Sequence, residues 1–343
     1  MSREQSVMVA LARRMEPRLT AAFIESITNI RSTIVLRELS GAVESGDVQS
    51  VVRLLNLRPE MLGPFTRAYA LAYSEAGAAL APLIDSAVGA LSRRWRGLTG
   101  FDPSLPRAAM WAASSGFQLA VDVIGDQTEA VRLILTAAIA RGDRPESVAR
   151  QLAGRYISGQ RRGGVLGLTA QQAGFLERAR EELSSPSTAL RFLRRELRDR
   201  RYDSTVRSSA ESGRRLTGEQ ISGILSRYSD RMLHHRAVSI ARTEFHVVSE
   251  AARAEYVQQL VDRGVVSEAD IMMEWVSRGF DGKTRHTHLA MSGQQRRLGE
   301  PFRSPSGALL LRPGDRSLGA PAAEIVRCRC RHRVVRRASR AGV

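Results

Sequence analysis

The chain has 343 residues, of which 52 are basic and 35 acidic, giving a formal net charge of +17 at pH 7, and 43% are hydrophobic. This length accommodates two or three domains with a sizeable core, and two cysteines separated by one residue exclude a disulfide framework, since a bridge between them would close a strained ring. No run approaches the roughly 20 apolar residues of a membrane span, and the amino terminus lacks the apolar core of a signal peptide.

The expectation is therefore a reduced, soluble, cytosolic chain without a membrane partner. Lys283 is the only lysine, a skew that points to GC-rich coding before it points to a ligand. The charge surplus itself favours a polyanionic partner, either nucleic acid or an acidic protein surface.

In chain order, residues 16 to 94 read as helix. Leu19, Phe23, Ile27 and Ile30 recur at three and four, followed by Val35 and Leu39. Gly46 and Asp47 stop one helix and cap the next, ahead of Val51, Val52, Leu54 and Leu55. The Ala-rich run from Phe65 to Leu91 predicts one long helix with a kink at Pro82, and Gly97 to Pro106 predicts a hinge. Capping boxes then signpost a helical middle region: Asp126 with Glu129, Asp143 with Glu146, Thr169 with Gln172 and Thr217 with Gln220. Between them, Gly159 to Gly167 reads as a loop and Ser184 to Pro186 as a turn. Thr217 opens the longest helical segment, predicted to run with one break to Gly264.

After Gly264 the helical period gives way to short apolar runs: Met272 to Val276, Ala308 to Leu311, Ile325 to Cys330 and Arg333 to Val335. The fold class expected is α+β, with mainly α-helical amino-terminal and middle regions and a small carboxy-terminal α+β module of short strands. Three regions follow in chain order: 1–100, a helical docking region; 101–216, helical; and 217–343, a long helix plus the terminal module with a basic tail, expected to be mobile after Arg336.

The terminal module holds both cysteines and three of the six histidines. In an extended strand alternate residues share a face, so Cys328, Cys330 and His332 would point one way and Arg327, Arg329, Arg331 and Arg333 the other. His288, Cys328 and Cys330 are the best candidate metal ligands, because zinc takes imidazole and thiolate in a tetrahedron. His286, His332 or Asp281 would supply a fourth ligand, and the zinc would be structural. The competing reading is that free cysteines are small apolar fillers on a buried strand face.

Asp281, Glu274 and His288 also admit a hydrolytic reading, a metal-dependent nuclease in which carboxylates hold a hard cation and a histidine activates water. Against it, Asp281-Gly282 is a turn signal that Thr284 and Arg285 would brace. Arg242-Thr243-Glu244 lies within the long helix, with Arg242 and His246 on one face, and reads as an ion-paired surface packed on the terminal module. His234 and His235 read as a solvated face. Arg327, Arg329, Arg331, Arg333, Arg336 and Arg337 would track phosphates without reading sequence, since no aromatic residue among them could stack on a base.

The order Ile240-Ala241-Arg242-Thr243-Glu244, Trp275, Asp281, Thr284, Arg285, His288, Gly293-Gln294, Phe302, Pro313-Gly314-Asp315 and Cys328-Arg329-Cys330 resembles the phage Mu F-like family of minor head, or head-morphogenesis, proteins of tailed bacteriophages. The resemblance covers roughly the last hundred residues closely and extends loosely into the middle helices. It implies a virion component located inside the head, made in the host cytoplasm. Its partners would be the portal protein, the scaffold or major capsid protein, and double-stranded DNA contacted non-specifically. It implies no enzymatic activity, and it casts Arg242, Thr243, Glu244, Asp281, Thr284 and Arg285 as organisers of the terminal module.

Overall fold

The computed structural model describes residues 3–89 and 100–337. Helices dominate: α1 (Arg3–Ser32), α2 (Leu36–Glu44), α3 (Val48–Leu55), α4 (Gly63–Gly89), α5 (Pro106–Arg141) and α6 (Pro145–Ala153) precede a small hairpin, β1 (Arg155–Ile157) and β2 (Gln160–Arg162). Then come α7 (Ala170–Leu183), α8 (Pro186–Phe192), α9 (Asp203–Ser212) and the 45-residue α10 (Gly218–Asp262). The terminal module follows as β3 (Ile271–Val276), α11 (His286–Met291), β4 (Gln295–Arg296), β5 (Phe302–Arg303), β6 (Leu309–Leu310), α12 (Ala322–Ile325) and β7 (Arg331–Arg336). This is the expected mainly helical α+β class.

Packing does not follow the three consecutive regions. The chain forms two compact units, each discontinuous in sequence: one comprises Met1–Leu19, Arg67–Gly116 and Ser239–Val343, the other Thr20–Thr66 and Phe117–Val238. The reason is that the long helices α1, α4, α5 and α10 each contribute residues to both units, so chain order and packing order part company.

In the second unit, Phe23, Ile27 and Ile30 of α1 are fully buried, and Phe23 meets Phe65 edge to face at 5.5 Å. The segment from Gly163 to Leu168 is irregular yet largely buried, so its backbone polar groups need partners inside the protein. Arg31 donates to the Leu166 carbonyl at 2.6 Å, Arg236 to the Gly167 carbonyl at 2.9 Å, and Ser229 to the Gly164 carbonyl, while Asp230 accepts from the Gly163 amide at 2.7 Å. Burial brings the Arg31 guanidinium down to about 10, against the pull of Asp230. Gly167 sits at φ 91°, and a Cβ there would come within 2.6 Å of Leu233 and 2.9 Å of Ile27, so only glycine fits.

In the first unit, the core gathers Leu80, Ile84 and Val88 of α4 with Tyr256, Val257 and Leu260 of α10. It continues through Ile271, Met273 and Trp275 of β3 to Phe302, Leu310, Cys328 and Cys330. The sheet order is β4-β3-β7, antiparallel throughout, with β5 and β6 as a separate pair.

Several local expectations need correction. Asp126 and Glu129 lie inside α5 and start nothing, Asp126 being the partner of Arg236 at 2.7 Å. Asp143 does not cap α6: Pro145 takes the first helical position, which makes Arg144 the cap residue, and the Asp143 carboxylate accepts from Gln151 and Arg141 instead. Thr169 and Thr217, by contrast, form reciprocal pairs with Gln172 and Gln220. Part of the predicted 159–167 loop is strand β2, and α10 runs without the expected break. The predicted strand from Ile325 to Cys330 is absent, since Ile325 ends α12 and Arg327 turns left-handed at φ 54°. Residues 90–94 of the first helical run and 97–99 of the hinge, like most of the tail after Arg336, lie outside the described residues.

Candidate metal centre

Alternation along β3 buries Ile271, Met273 and Trp275 and leaves Met272, Glu274 and Val276 half-exposed. β7 pairs with it from Ile271 opposite Arg336 to Val276 opposite Arg331, which sets His332 across from Trp275. The chain enters β7 from α12 through the left-handed Arg327. That conformation costs a non-glycine residue about 1 kcal/mol and persists where its surroundings over-determine it. They do so here: the Arg327 amide donates to Thr243 Oγ1 at 3.1 Å, its Nε to Ser239 Oγ at 3.1 Å, and the next amide, of Cys328, to the Ile325 carbonyl at 3.0 Å. The turn directs both thiols inward, leaving Cys328 3% and Cys330 2% exposed.

There they meet His288 of α11. Its Nδ1 lies 3.5 Å from Cys328 Sγ and 3.4 Å from Cys330 Sγ, and the three ligand atoms all fall within 4.8 Å of one another. On the far side of the ring, Nε2 stands 2.7 Å from Glu324 Oε2, a close ion-pair contact bent off the ideal N–H axis. Glu324 also accepts from Ser304 at 3.1 Å, Ser306 at 2.7 Å and Thr287 at 3.2 Å. Burial pushes its carboxyl up, but the Ser306 hydrogen bond, the neighbouring His288 imidazole and the remaining donors outweigh burial and hold it below the usual range. A carboxylate on Nε2 favours the tautomer whose Nδ1 lone pair faces the sulfurs.

The two thiols are shifted in opposite directions. Cys328, hydrogen-bonded to Cys330 and buried, is pushed up, whereas the same bond brings Cys330 down. Trp275 Nε1, buried without an aligned partner, neighbours Cys330, and the indole stacks edge to face with His288 at 5.3 Å. His246 of α10 lies beside Cys328, outside the group of three ligand atoms. Its imidazole interacts with the Cys328 thiol, which raises its pKa against burial, and its Nε2 is buried with no hydrogen-bond partner. Gly314, at φ 81° in the Pro313-Gly314-Asp315 turn, approaches so closely that an added Cβ would stand 3.5 Å from the His246 ring and 3.1 Å from Val247.

The three residues expected as a fourth ligand are engaged or placed elsewhere. His286 is exposed. His332 gives both its backbone amide and its Nδ1 to Glu250, at 2.8 and 2.7 Å, and burial holds its own pKa down, so it is a neutral donor to an ionised carboxylate. Burial raises Glu250, but the Arg253 charge and the His332 hydrogen bond prevail and bring it to about 2. Asp281 takes the Lys283 and Thr284 amides at 3.0 and 2.9 Å and a bidentate grip from Arg329, which together hold its carboxyl well below the usual range. Thr284 braces this turn as expected, also donating its hydroxyl at 3.0 Å, but Arg285 does not: it donates to the Val326 carbonyl.

The carboxylates invoked for hydrolysis do not converge on His288. Glu274 pairs with Arg333 and Gln295, Asp281 with Arg329, and the acid beside the imidazole is Glu324, which the sequence reading did not single out. Arg242, Thr243 and Glu244 each bond to a different segment, namely Glu16, the Arg327 amide and Arg316. The basic run is largely committed to partners within the chain, with Arg327 on Ser239, Arg329 on Asp281, Arg331 on Glu4 and Arg333 on Glu274. Arg336 and Arg337 are exposed.

Residues 216–333 match the family model described as phage Mu protein F like protein. No curated protein and no solved structure matches the chain. The matched segment includes all of α10, β3 through α12, the histidine and thiol cluster, and the first half of β7.

Proposed function

We propose that the protein is a minor head protein of a tailed bacteriophage. On this reading it acts in head assembly with the portal and with scaffold or major capsid protein, resides in the virion, and touches packaged double-stranded DNA without sequence preference. The observation that carries the reading is the family match over residues 216–333, a segment that includes much of the core of the first unit. No helix among the described residues is long and apolar enough to cross a membrane, which agrees with a particle component.

Two features support phosphate contact. The net charge is +17, and a cleft in the second unit is lined by Arg150, Arg155, Arg162 and Arg180 together with Ser222 and Ser226. The terminal arginines serve this role less than their density suggests, because four of the six already hold partners in the fold.

The test is genetic. A phage whose copy of this gene carries an early stop should yield defective or empty heads, and mass spectrometry of wild-type particles should find the protein. Infectious particles of normal yield from the mutant would overturn the reading. For DNA, binding should be equal across sequences and fall steeply with added salt, and salt-insensitive or sequence-selective binding would contradict it.

A further inference from the structure

We propose that His246, His288, Cys328 and Cys330 form a tetrahedral structural Zn2+ site, with the α10 imidazole as the fourth ligand. The inference stands on the geometry of the cluster and not on the proposed role in phage heads.

Distance supplies the first argument. With metal–sulfur bonds near 2.3 Å and metal–nitrogen bonds near 2.0–2.1 Å, a tetrahedron separates nitrogen from sulfur by about 3.6 Å. His288 Nδ1 stands 3.5 and 3.4 Å from the two sulfurs. A single Nδ1 lone pair cannot accept protons from two thiols at once, so hydrogen bonding accounts for at most one of the two short contacts, whereas a metal ion accounts for both.

The second argument is the surroundings. Glu324 at Nε2 repeats the arrangement in which a carboxylate behind a ligating imidazole fixes its tautomer and strengthens it as a donor. The buried Trp275 N–H beside Cys330 has no aligned acceptor, and a thiolate would provide one. His246 Nε2 is a buried nitrogen without a hydrogen-bond partner on a ring beside Cys328, outside the trio of ligand atoms that fall within 4.8 Å of one another, so ligation draws this ring in toward the sulfurs. Ligating a metal there would satisfy it.

The third argument is charge. Zn2+ binding sends the two thiol protons to solvent, and the two thiolates neutralise the ion within a buried site. Two sulfurs with two imidazoles select Zn2+ over hard cations, and four protein ligands make the site closed, hence structural. The ion would tie α10, α11 and the segment after α12 together, at the place where the strand predicted from sequence gives way to an irregular turn.

X-ray absorption at the zinc edge, on full-length protein purified without chelator, tests the assignment. The expected first shell is two sulfurs and two nitrogens, with outer-shell scattering from two imidazoles. His246→Ala should replace one imidazole by a light oxygen or nitrogen ligand and weaken zinc retention against a competing chelator by at least about tenfold, whereas His332→Ala should leave the shell unchanged. A wild-type shell with one imidazole, or without sulfur, would overturn the proposal, as would a His246→Ala spectrum identical to wild type. If His246→Ala fails to fold, the wild-type shell alone decides.

Discussion

Two buried irregular segments, one in each unit, solve the same problem with different chemistry. Between Gly163 and Leu168 the inward backbone is satisfied by permanent cations and hydroxyls: Arg31, Arg236 and Ser229 cap its carbonyls and Asp230 its Gly163 amide. Between Val326 and His332, part of the backbone is held by Thr243, Arg285 and Glu250, but the side chains turned inward are two thiols facing imidazoles. Guanidinium groups keep their charge at any ordinary pH and need no ligand. Thiols and imidazoles become strong binders only by losing protons, so they suit a segment completed by a metal ion. The first segment is thus complete as folded, whereas the second would be completed by the proposed ion.

The largest effect expected from breaking this contrast is Cys330→Ser. It removes a thiolate ligand and the sulfur beside Trp275, and should cost about 3 kcal/mol or more in chemical denaturation while making the protein indifferent to chelators. A Cys330→Ser protein as stable as wild type would show that no ion is held.

In the other segment, Arg31→Ala strands the Leu166 carbonyl and should cost about 2–3 kcal/mol, the range for a hydrogen bond to a charged donor. Chelators should add nothing to that loss. If they did, the two segments would be coupled and the contrast drawn too sharply.

Acid should separate them further. Glu250 has a folded pKa of about 2 against an ordinary 4.5, so it binds protons less readily in the folded state. Its contribution to stability is complete above about pH 4.5 and is lost as the pH falls toward 2. By roughly pH 3.5 the wild type should have lost about 1 kcal/mol that Glu250→Gln no longer has to lose. Parallel curves for the two proteins would remove Glu250 from the account.

The smallest expected effect lies in the caps. Thr217→Ala opens the exposed start of α10 and should cost about 0.5–1 kcal/mol by thermal melting, with chelator sensitivity unchanged. A larger loss would mean that the first turn of α10 does more than satisfy its own amides.

How far these features could be read from sequence depends on the distance between partners. Thr169 and Thr217 were legible because a capping box is complete within four residues. Asp126 and Asp143 carry the same local pattern, yet distant or proline-imposed packing recruits them elsewhere, to Arg236 in one case and to Gln151 and Arg141 in the other. Cys328, Cys330 and His332 alternate inward as the strand pattern requires, although only His332 lies in a strand, because the turn at Arg327 happens to preserve the alternation. The convergence of His288 with the thiols followed from residue chemistry. The approach of His246 did not, since 82 positions separate it from Cys328 and nothing local marks which face of a 45-residue helix will meet that turn. Glu324 was hidden for a similar reason: its partners Ser304, Ser306 and Thr287 lie on other segments of the module.

The account turns on whether an ion holds the thiol segment, and elemental analysis of protein purified without chelator measures that directly. About one zinc per chain, released together with loss of stability in the terminal module, is the predicted result. Less than about half an equivalent, with stability unchanged by chelation, would contradict it.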